Sequence, residues 1–413
     1  MEFFKKTVSF LLLVAVCFCA LAGCNPGSRN FRAKKVEAEE LTAKVAAQTV
    51  ESKEADEKFS VIYNNFAVKM TKALYKNENA CVSPLSIAAA FGMVTNGAKG
   101  ETKTELEALL GADVQTINAY FARLMQKSSE SKELHVANSV WSRKNAVTIE
   151  NDFLNVVKNN YLAQFYSAPF DGETVKDINN WVCNNTRGGI DKIIDDIDAD
   201  TVLYLLNALD FEAEWKDKFE KNSVRSGTFY GVKNEAEVTM MYATEQSYIE
   251  TEKAKGFIKP YVGGEYKFAA ILPDEDTSID EFLSSLTGES LTKILSGAKK
   301  TSVEIGLPKF DFENRFDLIP TLKKLGVNKA FSADADFTAL GKTAFGNLYI
   351  GEVVHKTRIT VNEQKTKASA VTEIGGKATG VPDVPSVILN RPFVYMILDS
   401  SSLPVFTGVI AQF

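Results

Sequence analysis

The 413-residue sequence predicts an α+β protein, and three observations support that fold class. Apolar residues recur at helical spacing mainly in the earlier part of the chain, and two-residue alternation typical of strands is concentrated later. Because the two patterns follow one another instead of alternating, α+β is favoured over a parallel α/β architecture. An apolar content of 45% with 24% charged residues is ordinary for a globular domain, and no internal repeat is visible.

In chain order, the first predicted elements are mostly helices. Residues 59–75 carry apolar side chains every three or four positions, as one face of a helix requires. Residues 87–95 follow a Ser-Pro-Leu-Ser start and are apolar on nearly all sides, which predicts a buried helix. A third helix, 102–110, ends at Gly111. Residues 134–141 alternate and predict a strand, and residues 177–186 have the spacing of a helix.

The later elements are mostly strands. Alternating or continuous apolar runs that end at turn residues predict strands, and the spacing before Gly326 predicts one more helix. The predicted strands are 202–209, 268–272, 303–312, 353–361, 393–398 and 405–410, and the predicted helix is 316–325.

The N-terminus has the form of an export signal. Lys5 and Lys6 precede an uncharged apolar run that ends at Leu21-Ala22-Gly23-Cys24. This ending resembles a bacterial lipobox, in which the Cys24 thiol is acylated; an ordinary signal peptide with a chance cysteine is the alternative. We therefore expect a signal peptide (1–23), a flexible linker (24–56) and a folded domain (57–413). We therefore expect export to the bacterial cell envelope or surface. The lipid would be the only membrane attachment, and the folded domain would be extracytoplasmic.

Several function classes are disfavoured by the sequence. A net charge of −6 without a basic patch argues against nucleic-acid binding. The two histidines, His135 and His355, accompany no nucleophile motif or metal-ligand spacing, so neither an enzyme nor a metal or cofactor is expected. Cys81 and Cys183 lie in apolar stretches and are predicted to be reduced, buried thiols.

Residues 364–391 are too long for an ordinary loop in a compact domain. One two-residue register is small or uncharged (Thr366, Ala368, Ala370, Thr372), and the other carries Lys365 and Lys367. This is the pattern of a strand with one face that can be buried. Two interpretations stay open from the residues alone: an unpaired strand able to enter a sheet, and a flexible surface loop.

The order and spacing of several motifs resemble the serpin family over about residues 59–413. The motifs are Val82-Ser83-Pro84-Leu85-Ser86, Gly97-Ala98-Lys99-Gly100-Glu101-Thr102, Ala137-Asn138-Ser139-Val140-Trp141, Ile178-Asn179-Asn180-Trp181, Leu206-Asn207-Ala208, Leu307-Pro308-Lys309-Phe310, Val354-His355-Lys356 and Arg391-Pro392-Phe393. The resemblance implies three β-sheets, about nine helices and an exposed reactive-centre loop. It implies an inhibitor that traps a serine or cysteine endopeptidase as an acyl-enzyme while the cut loop enters the central sheet. The sequence leaves the oligomeric state open, and a monomer is the default expectation. The alternative is a non-inhibitory binding protein or chaperone of the same fold.

The resemblance also assigns roles to residues. Ser83, Ser86, Asn207 and His355 match a buried polar cluster under the opening sheet, and Trp215 matches the aromatic where insertion starts. The hinge comprises Glu363, Lys365, Thr366, Lys367, Ala368, Ser369 and Ala370. Lys365 departs from the family, which usually has glycine there. The scissile bond is expected between Thr379 and Gly380, with Lys377, Ala378 and Val381 as alternative positions.

Overall fold

A computed structural model describes residues 31–198, 200–343, 346–363 and 384–413. Within these ranges there are nine α-helices. They are α1 (Glu57–Leu74), α2 (Pro84–Thr95), α3 (Gly100–Leu110), α4 (Val114–Glu130), α5 (Asn151–Tyr161), α6 (Gly172–Asn185), α7 (Ile279–Ser285), α8 (Gly288–Ser296) and α9 (Ile319–Lys324).

The described strands number eighteen. They are β1 (Glu39–Glu40), β2 (Ala80–Val82), β3 (Leu134–Arg143), β4 (Val147–Ile149), β5 (Gln164–Ala168), β6 (Leu203–Phe211), β7 (Val224–Tyr230), β8 (Glu235–Glu245), β9 (Tyr248–Glu250), β10 (Ala254–Pro260), β11 (Lys267–Pro273), β12 (Val303–Pro308), β13 (Phe310–Asp317), β14 (Gly341–Thr343), β15 (Glu352–Val361), β16 (Ser386–Ile388), β17 (Phe393–Leu398) and β18 (Pro404–Ile410).

Three large sheets and a two-stranded ribbon organise these strands. The first sheet has the order β1-β5-β3-β6-β15-β13, the second β2-β18-β17-β11-β10-β9, and the third β16-β12-β8-β7. Strands β4 and β14 form the ribbon. The α+β class, the three large sheets and the nine helices agree with the sequence-based expectation.

The central helix α2 explains how the sheets are held together. All twelve of its residues are buried, and Ser83 caps its N-terminus while Pro84 occupies the first turn, where its missing N–H is not needed. Helix α2 therefore lies inside the molecule and packs against β18 of the second sheet and β6 of the first. A helix that is apolar all round can be stable only in such a position.

Two predicted elements differ from the structure. Residues 303–312 are not one strand, because β12 ends at Pro308 and β13 begins at Phe310 in a different sheet. The helix predicted over residues 316–325 is also wrong in its first turn. Phe316 and Asp317 still pair with β15, and α9 covers only Ile319–Lys324. Among the described residues, α4, α5 and β8 are long elements that we did not predict from the sequence.

The segment over residues 33–56, which we call the strap, corrects part of the linker prediction. Residues 33–413 form one compact unit, so the described part of the predicted linker is not a free spacer. Glu39 and Glu40 pair antiparallel with β5 and extend the first sheet by one short strand. The peptide N–H groups of Glu37 and Ala38 donate to the two carboxylate oxygens of Asp177 on α6, at 2.9 and 2.8 Å.

The strap continues across two further helices. The Lys158 ammonium on α5 donates to the carbonyl oxygens of Thr42 and Val45, at 3.0 and 2.5 Å. On α4, Arg123 Nε and Lys127 Nζ lie 2.6 and 2.5 Å from the two carboxylate oxygens of Glu54. The strap is thus bonded in succession to α6, the edge of the first sheet, α5 and α4.

The two cysteines of the described chain, Cys81 and Cys183, are free and buried, as predicted. Burial raises the pKa of the Cys81 thiol to about 11. No group of side chains suited to holding a metal ion occurs in the described ranges. No described helix is both long enough and apolar enough to cross a bilayer.

Candidate functional site

The candidate site is a gap in the first sheet between β6 and β15. These strands run parallel and pair from Glu352↔Tyr204 to His355↔Asn207. Beyond that point β6 continues to Phe211 against β3, and β15 continues to Val361 against β13. The two strands therefore have facing edges that do not pair with each other in the half of the sheet that contains Phe211 and Val361, which we call its upper half. A cavity of about 30 Å³ lies at the top, lined by Phe211, Trp215, Ile359 and Val361 among others.

A buried polar cluster lies where the pairing between β6 and β15 ends. The Ser83 N–H donates to His355 Nε2 at 3.0 Å, and the Ser83 hydroxyl donates to the Val405 carbonyl at 2.8 Å. Asn207 Nδ2 donates to the Ser86 carbonyl at 2.9 Å and to Asn138 Oδ1 at 2.5 Å. The structure thus brings the predicted residues Ser83, Ser86, Asn207 and His355 together and links α2, β3, β6, β15 and β18.

This cluster is incompletely hydrogen-bonded. Ser86 Oγ, Asn138 Nδ2, Asn207 Oδ1 and His355 Nδ1 are buried and have no partner among the described residues. Leaving such groups unpaired costs free energy, so an arrangement that paired them would be more stable. Burial also lowers the pKa of His355 to about 3, which keeps its imidazole neutral.

Trp215, which the family resemblance assigned to the start of insertion, lies at the upper end of the gap. Its indole N–H donates to the Asn362 carbonyl at 3.0 Å, and its ring stacks on Tyr261 with 4.5 Å between centroids. The next residue, Glu363, pairs with Lys309 at 2.5 Å, and both side chains are partly buried. These contacts fix the last described residues before the loop to the top of the second and third sheets.

A buried ion pair supports this end of the gap. Lys259 Nζ lies 2.5 Å from Glu245 Oε1, and the two side chains are 1% and 6% exposed. The same ammonium donates to the Asp217 carbonyl at 2.6 Å. It also lies 5.5 Å from the Trp215 ring and 4.7 Å from the Phe219 ring, within the range of a cation–π interaction. The pair thus joins β8 and β10 to the segment that carries Trp215.

Several predicted residues lie outside the described ranges. These are Cys24, the hinge residues Lys365, Thr366, Lys367, Ala368, Ser369 and Ala370, and the scissile-bond candidates Lys377, Ala378, Thr379, Gly380 and Val381. Of the hinge, the structure describes Glu363. The loop remains a sequence-based expectation.

Sequence reasoning missed four residues of the site. Asn138 directly faces Asn207 in the register of β3 and β6, and its position in a strand motif was the available signal. Lys309 belongs to the Leu307-Pro308-Lys309-Phe310 motif, but no local sequence pattern indicates its pairing with Glu363. For Lys259 and Glu245, a lysine and a glutamate 14 positions apart give no sign of pairing, because their contact depends on how two sheets pack.

The chain is similar to known proteins over most of its length. The family profile described as "Serpin (serine protease inhibitor)" matches residues 62–412. Intracellular coagulation inhibitor 2 of Tachypleus tridentatus is 27% identical over 375 residues, which cover 86% of this chain and 91% of that protein.

Solved structures give the same result. Tengpin, a thermophilic serpin, is 41% identical in its native-state structure, with a TM-score of 0.85 and coverage of 92% of this chain and 100% of its own. Its latent-state structure has a TM-score of 0.77, 39% identity and coverage of 87% and 99%. Thyroxine-binding globulin, solved in complex with thyroxine, is 27% identical with a TM-score of 0.75 and coverage of 86% and 99%.

Proposed function

The chain belongs to the serpin family, and from that membership we propose that it inhibits a serine or cysteine endopeptidase by trapping it. In this reaction the protease nucleophile attacks the carbonyl of one loop peptide bond and releases the new amine. The acyl-enzyme that remains is trapped when the cut loop enters the first sheet. The inhibitor supplies no nucleophile of its own.

The gap between β6 and β15 is the observation that carries this proposal. The loop follows β15 in the sequence, after Asn362 and Glu363, so a segment of it that folds back at Glu363 would run antiparallel to β15. Since β6 is parallel to β15, the same segment is antiparallel to both neighbours. It can therefore form a ladder on each side. The part of β15 that does not pair with β6 comprises residues 356–361 and spans about 20 Å at the usual rise per residue. Its backbone N–H and C=O groups on that side can form hydrogen bonds with an inserted strand.

The loop sequence suits this entry. On the register that would face inward, Thr366, Ala368 and Ala370 are small and uncharged, whereas Lys365 and Lys367 occupy the other register. The similarity to an intracellular coagulation inhibitor supports the same function.

The second candidate is a non-inhibitory binding protein, and one residue favours it. Lys365 stands where the family usually has a glycine, and a β-carbon restricts the backbone angles of a hinge. Thyroxine-binding globulin shares the fold and was solved with thyroxine bound. Lys365 is therefore the first residue to exchange if trapping fails.

Residues 25–413, without the lipid, are mixed in turn with elastase, trypsin and subtilisin and run on a denaturing gel. We expect a covalent band of summed mass with at least one protease, and sequencing of the released fragment identifies the scissile bond. Ala368→Arg places a charge on the inserting register and should give cleavage without the band. Lys367→Arg, on the solvated register, should trap like the parent. Cleavage of the parent loop by every protease without any such band would contradict inhibition.

We also propose that Cys24 carries a lipid that holds the protein at the bacterial envelope or surface. The support is the Leu-Ala-Gly-Cys ending of the export signal. Cells fed labelled palmitate should incorporate label into the parent protein and not into Cys24→Ala. Equal labelling of both would contradict this assignment.

A further inference from the structure

A second cavity, of about 320 Å³, lies between α4, the β10–β11 turn and the β17–β18 turn. Its volume falls within the range of small-molecule sites. The apolar part of its wall consists of Leu85, Leu124, Leu134, Leu403 and Val405. All five side chains are at most 8% exposed, so the wall is fixed by the surrounding core.

The Asp399 carboxylate also lines the cavity, beside these apolar side chains. Asp399 Oδ1 accepts from the peptide N–H groups of Ser401 and Leu403 at 2.9 and 2.8 Å, which shapes the β17–β18 turn. Its second oxygen, Oδ2, has no hydrogen-bond partner among the described residues. Tyr63 and Tyr266 line the same cavity. Burial is the main reason that the pKa of each phenol is raised, and the nearby Asp399 charge raises both further.

One more polar group in the wall has no partner. The Ser128 side chain on α4 is 5% exposed, and its Oγ is buried without a hydrogen bond to any described residue. Buried hydroxyl groups are nearly always paired. This unpaired hydroxyl group adds to the polar character of the residues that line the cavity.

The charges around the cavity leave carboxylates in excess. Arg123 and Lys127 line it, but both are bonded to Glu54 of the strap. Glu130 and Glu265 lie at the rim, and the cations close to Asp399 are Lys127 and Lys267. Counting Glu54 and Lys267, which do not line the cavity themselves, four carboxylates accompany three cationic side chains.

We propose that this cavity binds a small organic ammonium ion, whose head lies between Asp399 and the rings of Tyr63 and Tyr266 while its apolar body contacts the leucines. A carboxylate supplies charge-assisted hydrogen bonds to an ammonium group, and aromatic rings attract the same cation. The site is separate from the gap and does not depend on the proposed inhibitory function.

Titration calorimetry of the purified full chain with three indoles tests the proposal. Tryptamine carries an ammonium head, tryptophol a hydroxyl and indole-3-acetate a carboxylate on the same ring. We expect tryptamine to bind at least tenfold more tightly than tryptophol, and indole-3-acetate not to bind. Octylamine serves as a second ammonium ion with a linear apolar body. Equal binding of the three indoles, or no binding of either amine, would overturn the proposal.

Two variants assign the binding to this cavity. Asp399→Asn removes the charge but keeps an Oδ1 that can accept from Ser401 and Leu403, so the turn is retained. We expect it to weaken tryptamine binding at least tenfold, and Ser128→Leu, which fills the cavity, to abolish it. Asp152→Asn on the exposed start of α5 is the matched control and should bind like the parent. Unchanged tryptamine affinity in Asp399→Asn with an intact fold would refute the site.

Discussion

His355 makes the stability of the buried cluster depend on pH. Its Nε2 accepts the Ser83 N–H, and burial lowers its pKa from 6.5 to about 3. Below pH 6.5 the unfolded chain binds a proton at this histidine, whereas the folded protein does not until about pH 3. The free energy of unfolding therefore decreases as the pH falls through this window, with no contribution from His355 above it.

Denaturant titrations at pH 7.5 and pH 5 measure this effect. We expect the parent to lose more stability between these values than His355→Gln, because glutamine offers an acceptor for Ser83 and does not titrate. His135→Gln, at a partly exposed histidine outside the cluster, is the control and should keep most of the parent's pH dependence. Identical losses of stability in the parent and in His355→Gln would show that His355 is not the source of the pH dependence.

The buried pair of Lys259 and Glu245 predicts a large effect of a single substitution. Lys259→Met leaves the Glu245 carboxylate buried without its cation, which costs about 3–5 kcal/mol of unfolding free energy in such sites. The double variant Lys259→Met/Glu245→Leu should recover much of that loss, since no charge remains buried. Lys299→Met breaks an exposed pair with Glu250 and should change stability little. Equal effects of the two single substitutions would contradict this account.

Resemblance to a family identified Ser83, Ser86, Asn207, His355 and Trp215 as residues of interest, and the structure places the first four within one cluster. Physical reasoning on the sequence alone could not have done so, because the cluster joins residues from 83 to 405. Asn138 was missed for the same reason, since an asparagine in a strand motif shows its partner only once the register of β3 and β6 is known.

At the scale of elements, the strap predicts a loss of stability on truncation. A chain that begins at residue 57 lacks the strand paired with β5 and the bonds to Asp177, Lys158 and Arg123. It also exposes apolar surface that Leu41 and Val45 cover. Since 1 kcal/mol corresponds to roughly 2 °C in a large domain, we expect the thermal midpoint to fall by roughly 5–10 °C.

A chain that begins at residue 33 is the control for this truncation and should melt close to the parent. Asp177→Ala removes the acceptor of two strap N–H groups and should lower the midpoint by less than the full truncation. If the chains beginning at 33 and at 57 melt together, the strap contributes nothing to stability.

Elements were predictable where a pattern is local. The buried α2 and the amphipathic α1 follow from apolar spacing alone, and both occur close to their predicted limits. The break between β12 and β13 did not follow, because residues 303–312 keep one alternating pattern while the chain passes from one sheet to another. Phe316 was assigned to a helix because its spacing to later leucines is helical, although its pairing with His355 keeps it in β13.

At the scale of the whole molecule, the proposed trapping requires a native fold that is not the most stable arrangement of the chain, and the gap supports that part of the proposal. The facing edges of β6 and β15 lack the backbone pairing that a complete sheet would give them. Four side-chain atoms of the polar cluster also lack hydrogen-bond partners among the described residues. The contacts at the top of the gap, Trp215 with Asn362 and Lys309 with Glu363, hold the start of the loop at the sheet. In the proposed mechanism, cleavage of the loop removes the covalent connection that opposes its entry into the gap.

Loop cleavage should therefore raise the thermal stability of the protein. An inserted strand that bonds on two edges gains about ten hydrogen bonds at about 1 kcal/mol each. In a large domain this amounts to a rise in the thermal midpoint of roughly 20 °C. Calorimetry before and after limited proteolysis, with the cleavage site identified by fragment sequencing, measures the change.

The same calorimetric measurement separates the two functions considered for this chain. After cleavage at the same bond, the thermal midpoint of Ala368→Arg should not rise, because the arginine opposes burial of that register. The thermal midpoint of Lys367→Arg should rise as much as that of the parent. An unchanged midpoint after clean cleavage of the parent would mean that the loop does not insert, and the binding-protein alternative would then be favoured. Lys365→Gly would next show whether the hinge is the cause. If the midpoint then rises, the β-carbon at that position is what prevents the loop from turning into the gap.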